Sequence, residues 1–271
     1  MKPEFADTST GKTAVFLKRG SAENAICFLH GNSLNSSFFK NIWSSEALSD
    51  YTLIAIDFPG HGASEKPYDE LRYNLPTYVL QVQQVLKNHQ IKNVILVGHS
   101  LGGHVAIGVA KNSENSVKGL MITGTPPLGN PPDLASAFIP SEEMGWMFQG
   151  EWSGEQISRL ALAIIQKKDD APQLETMLAE TLPLARTSLA AWMGANPLPD
   201  EISILNALPY PVAVIQGEND ALVNNNYFTT AGISNLWNGA VQYIRECGHC
   251  VPFEQPQYFA GQILNYAKKT I

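Results

Sequence analysis

Ser100 stands in Gly98-His99-Ser100-Leu101-Gly102, directly after the apolar run Val94-Ile95-Leu96-Val97 and before a helix-compatible stretch with Val105, Ala106, Val109 and Ala110. Strand, tight turn and helix in that order present a serine hydroxyl at an elbow, where it can act as a nucleophile. The glycines have a steric reason. A serine in such a turn adopts a sparsely populated backbone conformation, and side chains two residues to either side would crowd it. The hydroxyl also needs a base to take its proton, and the base needs an orienting partner. His249, in a Gly-His turn after the strand-like residues 240–245, supplies the base, and Asp220, shortly after the run 212–216, supplies the acid. All three follow the carboxyl ends of strands, and in an open parallel sheet such positions converge on one edge.

The competing histidines fit less well. His30 and His61 lie in backbone-dominated turns, His99 points away from the exposed side of the elbow, and His104 begins a covered helix. Among the acids, Glu218 and Glu254 read as a solvated loop residue or a local cap. Asp57, ahead of Phe58-Pro59-Gly60-His61-Gly62, reads as a turn support. Acyl chemistry further requires donors for an oxyanion. The backbone N–H of Leu101 is one; the other is assigned to Asn32, in the turn His30-Gly31-Asn32, with Ser33 as the alternative.

The surrounding pattern explains how these groups could meet. Residues 1–12 are polar and expected to be loosely held. Strands are expected at 13–18, 25–29, 51–56, 94–97 and 117–123, with helices over 36–48, from 74–76 onward, and after the elbow. Repeated strand and helix with near-continuous apolar strands predicts an α/β fold with a mainly parallel sheet covered on both faces. The rhythm breaks at 124–132, which holds four prolines. Helices are then expected from the capping box Ser153-x-x-Gln156 to about 168, after Asp170-x-x-Gln173, over 184–193 and over 201–208. The sheet resumes at 212–216, followed by a helix over 224–236, the strand 240–245 and a helix over 255–269. Residues 125–208 therefore read as a helical lid inserted into a core made of 1–124 and 209–271.

Composition narrows the partners. A formal charge of −7 and the lack of a basic run disfavour nucleic acid and anionic membranes. Three cysteines make no disulfide framework: Cys27 reads as a small core residue, and Cys247-Gly-His-Cys250 lacks a second ligand pair for zinc. No metal or organic cofactor is implied. The amino-terminal MKPEFADTST carries no apolar segment, which predicts a cytoplasmic protein without a membrane span, as monomer or homodimer acting on a small molecule.

These residues resemble the α/β-hydrolase superfamily over about 13–269, and more closely its lidded branch of serine esterases and lipase-like enzymes, related to epoxide hydrolases, haloalkane dehalogenases and C–C bond hydrolases. The resemblance rests on His30-Gly31-Asn32, Asp57-Phe58-Pro59-Gly60-His61-Gly62-x-Ser64, Gly98–Gly103, Gly217-x-x-Asp220, and Gly248-His249 with Pro252, Glu254 and Pro256. It implies an α/β-hydrolase fold, with an eight-stranded-type sheet, and a serine hydrolase with Ser100 as nucleophile, His249 as general base and Asp220 orienting it. Dehalogenases and epoxide hydrolases place aspartate at the elbow, so Ser100 argues against both. Serine leaves ester, thioester, lactone and amide hydrolysis open, together with C–C cleavage, acyl transfer, perhydrolysis and a non-catalytic ligand-binding receptor. Asn32 departs from the commoner glycine, phenylalanine or tryptophan of the family, and places an amide beside the oxyanion donor. Met144, Trp146, Met147, Phe148, Trp152, Trp192 and Met193 make the lid apolar. Trp146, Met147, Phe148, Trp192 and Cys250 are the expected substrate contacts, and a neutral carboxylic ester with a small-to-medium apolar acyl part is the expected substrate, with a lactone bearing an acyl tail as an alternative.

Overall fold

The computed structural model describes residues 2–21, 23–112 and 116–271; Met1 of the amino-terminal segment lies outside it. Eight strands form one sheet: β1 (Glu4–Thr8), β2 (Gly11–Lys18), β3 (Asn24–Leu29), β4 (Thr52–Ile56), β5 (Asn93–His99), β6 (Val117–Thr123), β7 (Val212–Gly217) and β8 (Gln242–Ile244). Their spatial order is β1-β2-β4-β3-β5-β6-β7-β8. The β1–β2 and β2–β4 pairs are antiparallel and every other pair is parallel. The longer helices are α1 (Leu75–Asn88), α2 (Leu101–Asn112), α3 (Gly154–Ala163), α4 (Ala171–Glu180), α5 (Pro183–Ala195), α6 (Glu201–Ala207) and α7 (Pro256–Thr270).

The unbroken apolar strands are explained by burial on both faces. Ile95 and Val97 of β5 join Phe38, Phe39, Phe259 and Ile263 on one side. Val94 and Leu96 join Val82, Val85, Val105 and Val109 on the other. A strand covered this way cannot show the alternation of a half-exposed one. The chain then leaves the sheet after β6 and returns at β7, and α3 to α6 lie between. Leu160, Ile164, Leu174 and Met177 of this insertion belong to the same apolar cluster as the sheet face, while Leu189 and Leu205 join the other. The Ser153–Gln156 capping box is present, with both reciprocal bonds.

Several local expectations are corrected. The amino-terminal segment is not loose: Glu4–Thr8 pairs with Gly11–Val15 as an edge hairpin. Its exposed outer strand buries too little to carry a hydrophobic signature. The helix expected over 36–48 is three short pieces, Ser36–Phe39, Lys40–Trp43 and Glu46–Leu48, opened by Asn35, whose side chain accepts from the Ser37 N–H. The helix expected over 224–236 is only Tyr227–Thr230. Gly232 takes φ +76° just beyond it, and the Asn235 amide donates to the carbonyls of Leu205, Leu208 and Tyr210, so this stretch serves as a brace. The last strand is three residues long, and Asp170 makes no side-chain cap. Among the described residues no helix is long and apolar enough to cross a membrane.

Candidate active site

Ser100 follows β5 with φ +51°, the left-handed region that costs a non-glycine residue of order 1–3 kcal/mol. The turn is held there by close packing. A Cβ at Gly98 would collide with the Gly102 carbonyl, and one at Gly102 with the carbonyl of Leu29. The Ser100 N–H donates to the Thr123 carbonyl on β6 (2.9 Å), and the Thr125 hydroxyl donates to the Ser100 carbonyl (2.9 Å). The strained residue is thereby held at both its backbone N–H and its backbone carbonyl.

His249 Nδ1 lies 2.8 Å from Asp220 Oδ2, and both residues are buried. Asp220 Oδ1 accepts from the N–H groups of Leu222 (2.8 Å) and Val223 (3.0 Å), which fixes the carboxylate plane. A carboxylate accepts, so Nδ1 carries the proton and Nε2 is left for another partner. Ser100, His249, Asn32 and Leu101 all line one cavity of about 70 Å³. Among the described residues the Ser100 hydroxyl makes no side-chain hydrogen bond; contacts of this type commonly tighten only with substrate bound. The rival acids are placed elsewhere. Glu254 is buried and accepts from the Gly248 N–H (2.8 Å) and the Gln166 N–H (2.6 Å), bracing the histidine loop, while Glu218 is exposed.

The donors for an oxyanion separate cleanly. The N–H of Leu101 is at the start of α2, and that of Asn32 is in the turn after β3; among the described residues neither is spent on a backbone carbonyl. The N–H of Ser33, the alternative, is already engaged and donates to His61 Nε2 (3.2 Å). His61 Nδ1–H in turn donates to the Pro59 carbonyl (2.8 Å), and His30 bridges the Gly31 carbonyl (2.8 Å) and the Phe58 N–H (3.0 Å). Each ring therefore donates from Nδ1 and accepts at Nε2, which a neutral imidazole does. Burial lowers the His30 pKa to about 4 and holds His61 well below its ordinary value. Asp57 accepts from Ser36 (2.7 Å) and Ala63 (2.9 Å) and is the expected turn support, its carboxyl pushed up by burial.

The remaining lining comes mainly from the insertion: Phe138, Met144, Met147, Phe148, Leu189 and Met193. Of the expected substrate contacts, Met147 and Phe148 reach the cavity and three do not. Trp146 lies beneath the Arg159 guanidinium (4.7 Å), and its carbonyl accepts from Trp152 Nε1 (2.9 Å). Trp192 lines an outer groove with Leu75, Pro76 and Pro199. Cys250 is fully buried behind His249, its thiol pushed up chiefly by desolvation. A helix buries one stripe, so the short helix Glu142–Trp146 and α5 send Met144 and Met193 toward Ser100 and turn the neighbouring tryptophans aside. His104 is the residue the sequence reading passed over. It sits one turn beyond Leu101 on α2, lines the cavity, and pairs through Nδ1 with both oxygens of Glu201 at 2.9 Å. Its spacing of three from Leu101 was the available signal, since such residues share a helix face. Glu201 lies 97 residues away, in a segment with no motif.

Comparison with known proteins agrees with this geometry. The model of the alpha/beta hydrolase family matches residues 28–262. A Mycoplasma pneumoniae protein provisionally named esterase/lipase 1 is 28% identical over 262 residues, covering 90% of this chain and 91% of its own. The 2-hydroxy-6-oxononadienedioate/2-hydroxy-6-oxononatrienedioate hydrolase of Paraburkholderia phymatum is 27% identical over 280 residues, covering 98% and 91%. A crystal structure of a mutant of N-acyl homoserine lactonase AidH, complexed with N-hexanoyl homoserine lactone, superposes with a TM-score of 0.91 at 25% identity, covering 100% of this chain and 98% of that one. An elbow between β5 and α2, loops converging at the carboxyl edge of a mainly parallel sheet, and a family match spanning nearly all of it lead to one assignment: this chain belongs to the alpha/beta hydrolase family, and it is a hydrolase of the carboxylic ester type.

Proposed function

We propose that the chain opens a neutral lactone bearing an apolar acyl chain, of the N-acyl homoserine type, through an acyl-enzyme on Ser100, as a lidded serine hydrolase with residues 125–208 as the lid. The observation that carries the reading is the apolar wall over Ser100, together with the likeness to a lactonase holding N-hexanoyl homoserine lactone. Phe138, Met144, Phe148 and Met193 of that wall also line an outer chamber of about 500 Å³, otherwise formed by Leu134, Ala135, Pro140 and Ala190. A small ring at Ser100 and a chain crossing these four side chains into the chamber would use both spaces. Apolar pockets with few convergent polar groups suit such a ligand.

In the proposed cycle His249 Nε2 takes the Ser100 proton as Oγ attacks the lactone carbonyl. The tetrahedral oxyanion is held by the N–H groups of Asn32 and Leu101. Collapse breaks the ring C–O bond, and His249 returns the proton to the leaving alkoxide, which stays tethered as a hydroxyl. Water, deprotonated by His249, then attacks the ester and frees the hydroxy acid and Ser100. Asp220 keeps the proton on Nδ1 throughout and stabilises the transient imidazolium.

A linear ester passes through the same steps and is the general activity. Cleavage of a dicarboxylate C–C substrate is less well supported, because the cavity lining contains no arginine or lysine to receive its charges. The test is ring opening of N-hexanoyl homoserine lactone beside hydrolysis of nitrophenyl hexanoate, for wild type and Ser100→Ala. The expected result is higher kcat/KM on the lactone and a loss of about 10⁴-fold or more on both in the variant. Turnover of neither by wild type, or undiminished turnover by the variant, overturns the reading.

A further inference from the structure

Among the described residues, His104 and Asn32 are the polar side chains of the cavity lining outside the serine, histidine and acid set. Asn32, the other candidate, spends its amide N–H on the Met147 carbonyl (2.8 Å) and its Oδ1 on the Ser33 hydroxyl (3.3 Å). The His104 ring is fixed from behind. Glu201 is buried, and a buried carboxylate is costly unless hydrogen bonded. It receives His104 Nδ1 on both oxygens and the Leu128 N–H (2.9 Å) on Oε2. The carboxylate therefore holds the proton on Nδ1, and Nε2, which makes no hydrogen bond among the described residues, is left with a lone pair. His104 lies three residues after Leu101, so its Cβ is about 5–6 Å from that of Leu101, whose N–H would hold the oxyanion. His104 also edges the outer groove lined by Trp192, and a group meeting Nε2 from the cavity side presents a hydrogen to it.

We infer that His104 is a specificity-determining residue that accepts the N–H of an acylamino substituent on the carbon beside the scissile carbonyl, with Glu201 as its positioning residue. The inference rests on the lactone reading above and deepens it: His104 selects N-acylamino lactones over lactones that carry a plain alkyl chain. Around it the wall is apolar, so an amide N–H placed there without this acceptor would be buried unpaired, and a site built to bond a polar group rejects its absence or misplacement more strongly than an apolar wall does.

The experiment compares kcat/KM for N-hexanoyl homoserine lactone with that for a γ-butyrolactone bearing an alkyl chain of equal length beside its carbonyl. It uses wild type, His104→Leu and His104→Gln, whose side-chain carbonyl can again accept. Wild type is expected to prefer the acylamino lactone roughly five- to tenfold, the worth of one neutral hydrogen bond. His104→Leu is expected to bring the ratio near one, and His104→Gln to restore part of it; the ratio cancels any general loss of folded enzyme. A wild-type ratio near one, or a ratio kept in His104→Leu, overturns this inference while leaving lactone hydrolysis standing. A wild type that opens neither lactone overturns both.

Discussion

The loops beneath the cavity and the insertion above it are built on opposite principles. Below, the groups around His249 and the Asn32 turn are tied by directional bonds: Asp220 accepts two backbone N–H groups and His249, Glu254 braces Gly248, and His30 and His61 tie the Asn32 turn to the loop after β4. Above, the insertion gives the wall methionines, phenylalanines and a leucine, and no polar side chain among the described residues. The insertion's own polar ties lie off that wall: Arg186, for one, donates to the carbonyls of Gln149 and Gly150 and stacks on Trp152 at 3.7 Å. Directional bonds fix atoms to tenths of an ångström, as proton transfer demands, whereas apolar contact tolerates sliding and suits a chain of variable length. On the proposed reading the lower region carries the chemistry and the upper region gives the acyl chain its apolar wall.

The sharpest way to break that division is Asp220→Asn. The amide keeps an oxygen for Leu222 and Val223 but can present an N–H to His249, reversing the tautomer. A loss of about 10³- to 10⁴-fold in kcat is expected, with KM and the melting temperature little changed. Equal damage to kcat and KM would mean that the carboxylate also shapes the binding surface.

The same contrast explains what could be read from the chain. The Gly98-x-Ser100-x-Gly102 turn was legible because backbone packing leaves no room for a Cβ at either glycine, and the nearness of Asp220 to His249 because both follow strand ends on one sheet edge. The parallel core was legible because burial on both faces leaves β3, β4 and β5 continuously apolar. Trp146, Trp192 and Cys250 could not be placed, since which stripe of a short helix faces Ser100 depends on packing between distant segments. His104 was passed over as anything but a helix residue for a related reason: a histidine on a covered helix carries no signal of its own, and Glu201, which fixes its ring, is remote in sequence. β1 escaped because an exposed edge strand has no apolar face to advertise.

Acid exposes the cost of the lower region's bonds. His30 ordinarily titrates near 6.5, and burial lowers it to about 4 in the fold. Below 6.5 the unfolded chain gains a proton that the folded one refuses, so stability present at neutral pH is lost as pH falls toward about 4. The scale is about 3 kcal/mol. His61, held well below its ordinary value chiefly by burial, acts in the same direction, while Asp57, pushed up by burial, opposes it. Thermal unfolding followed from pH 7.5 to 4.5 should show a steep fall for wild type and a shallower one for His30→Gln, whatever the variant's stability at neutral pH. Parallel slopes would remove the buried ring from the account.

One of the directional bonds between the two regions runs in the cavity wall from the Asn32 amide to the Met147 carbonyl, and cutting it gives the smallest and most discriminating effect. Asn32→Ala keeps the backbone N–H, so the oxyanion donor survives while the tie to the insertion is lost. The freed Met147 carbonyl is the group at stake, and one such bond is worth about 1 kcal/mol. If the lower loops hold their own geometry and the tie only seats the apolar wall, KM should rise several-fold with kcat within about twofold, and long acyl chains should suffer more than short ones. A fall in kcat that is uniform across chain lengths would instead mean that the Asn32 turn takes its geometry from the insertion, and that the wall above helps to aim the chemistry below.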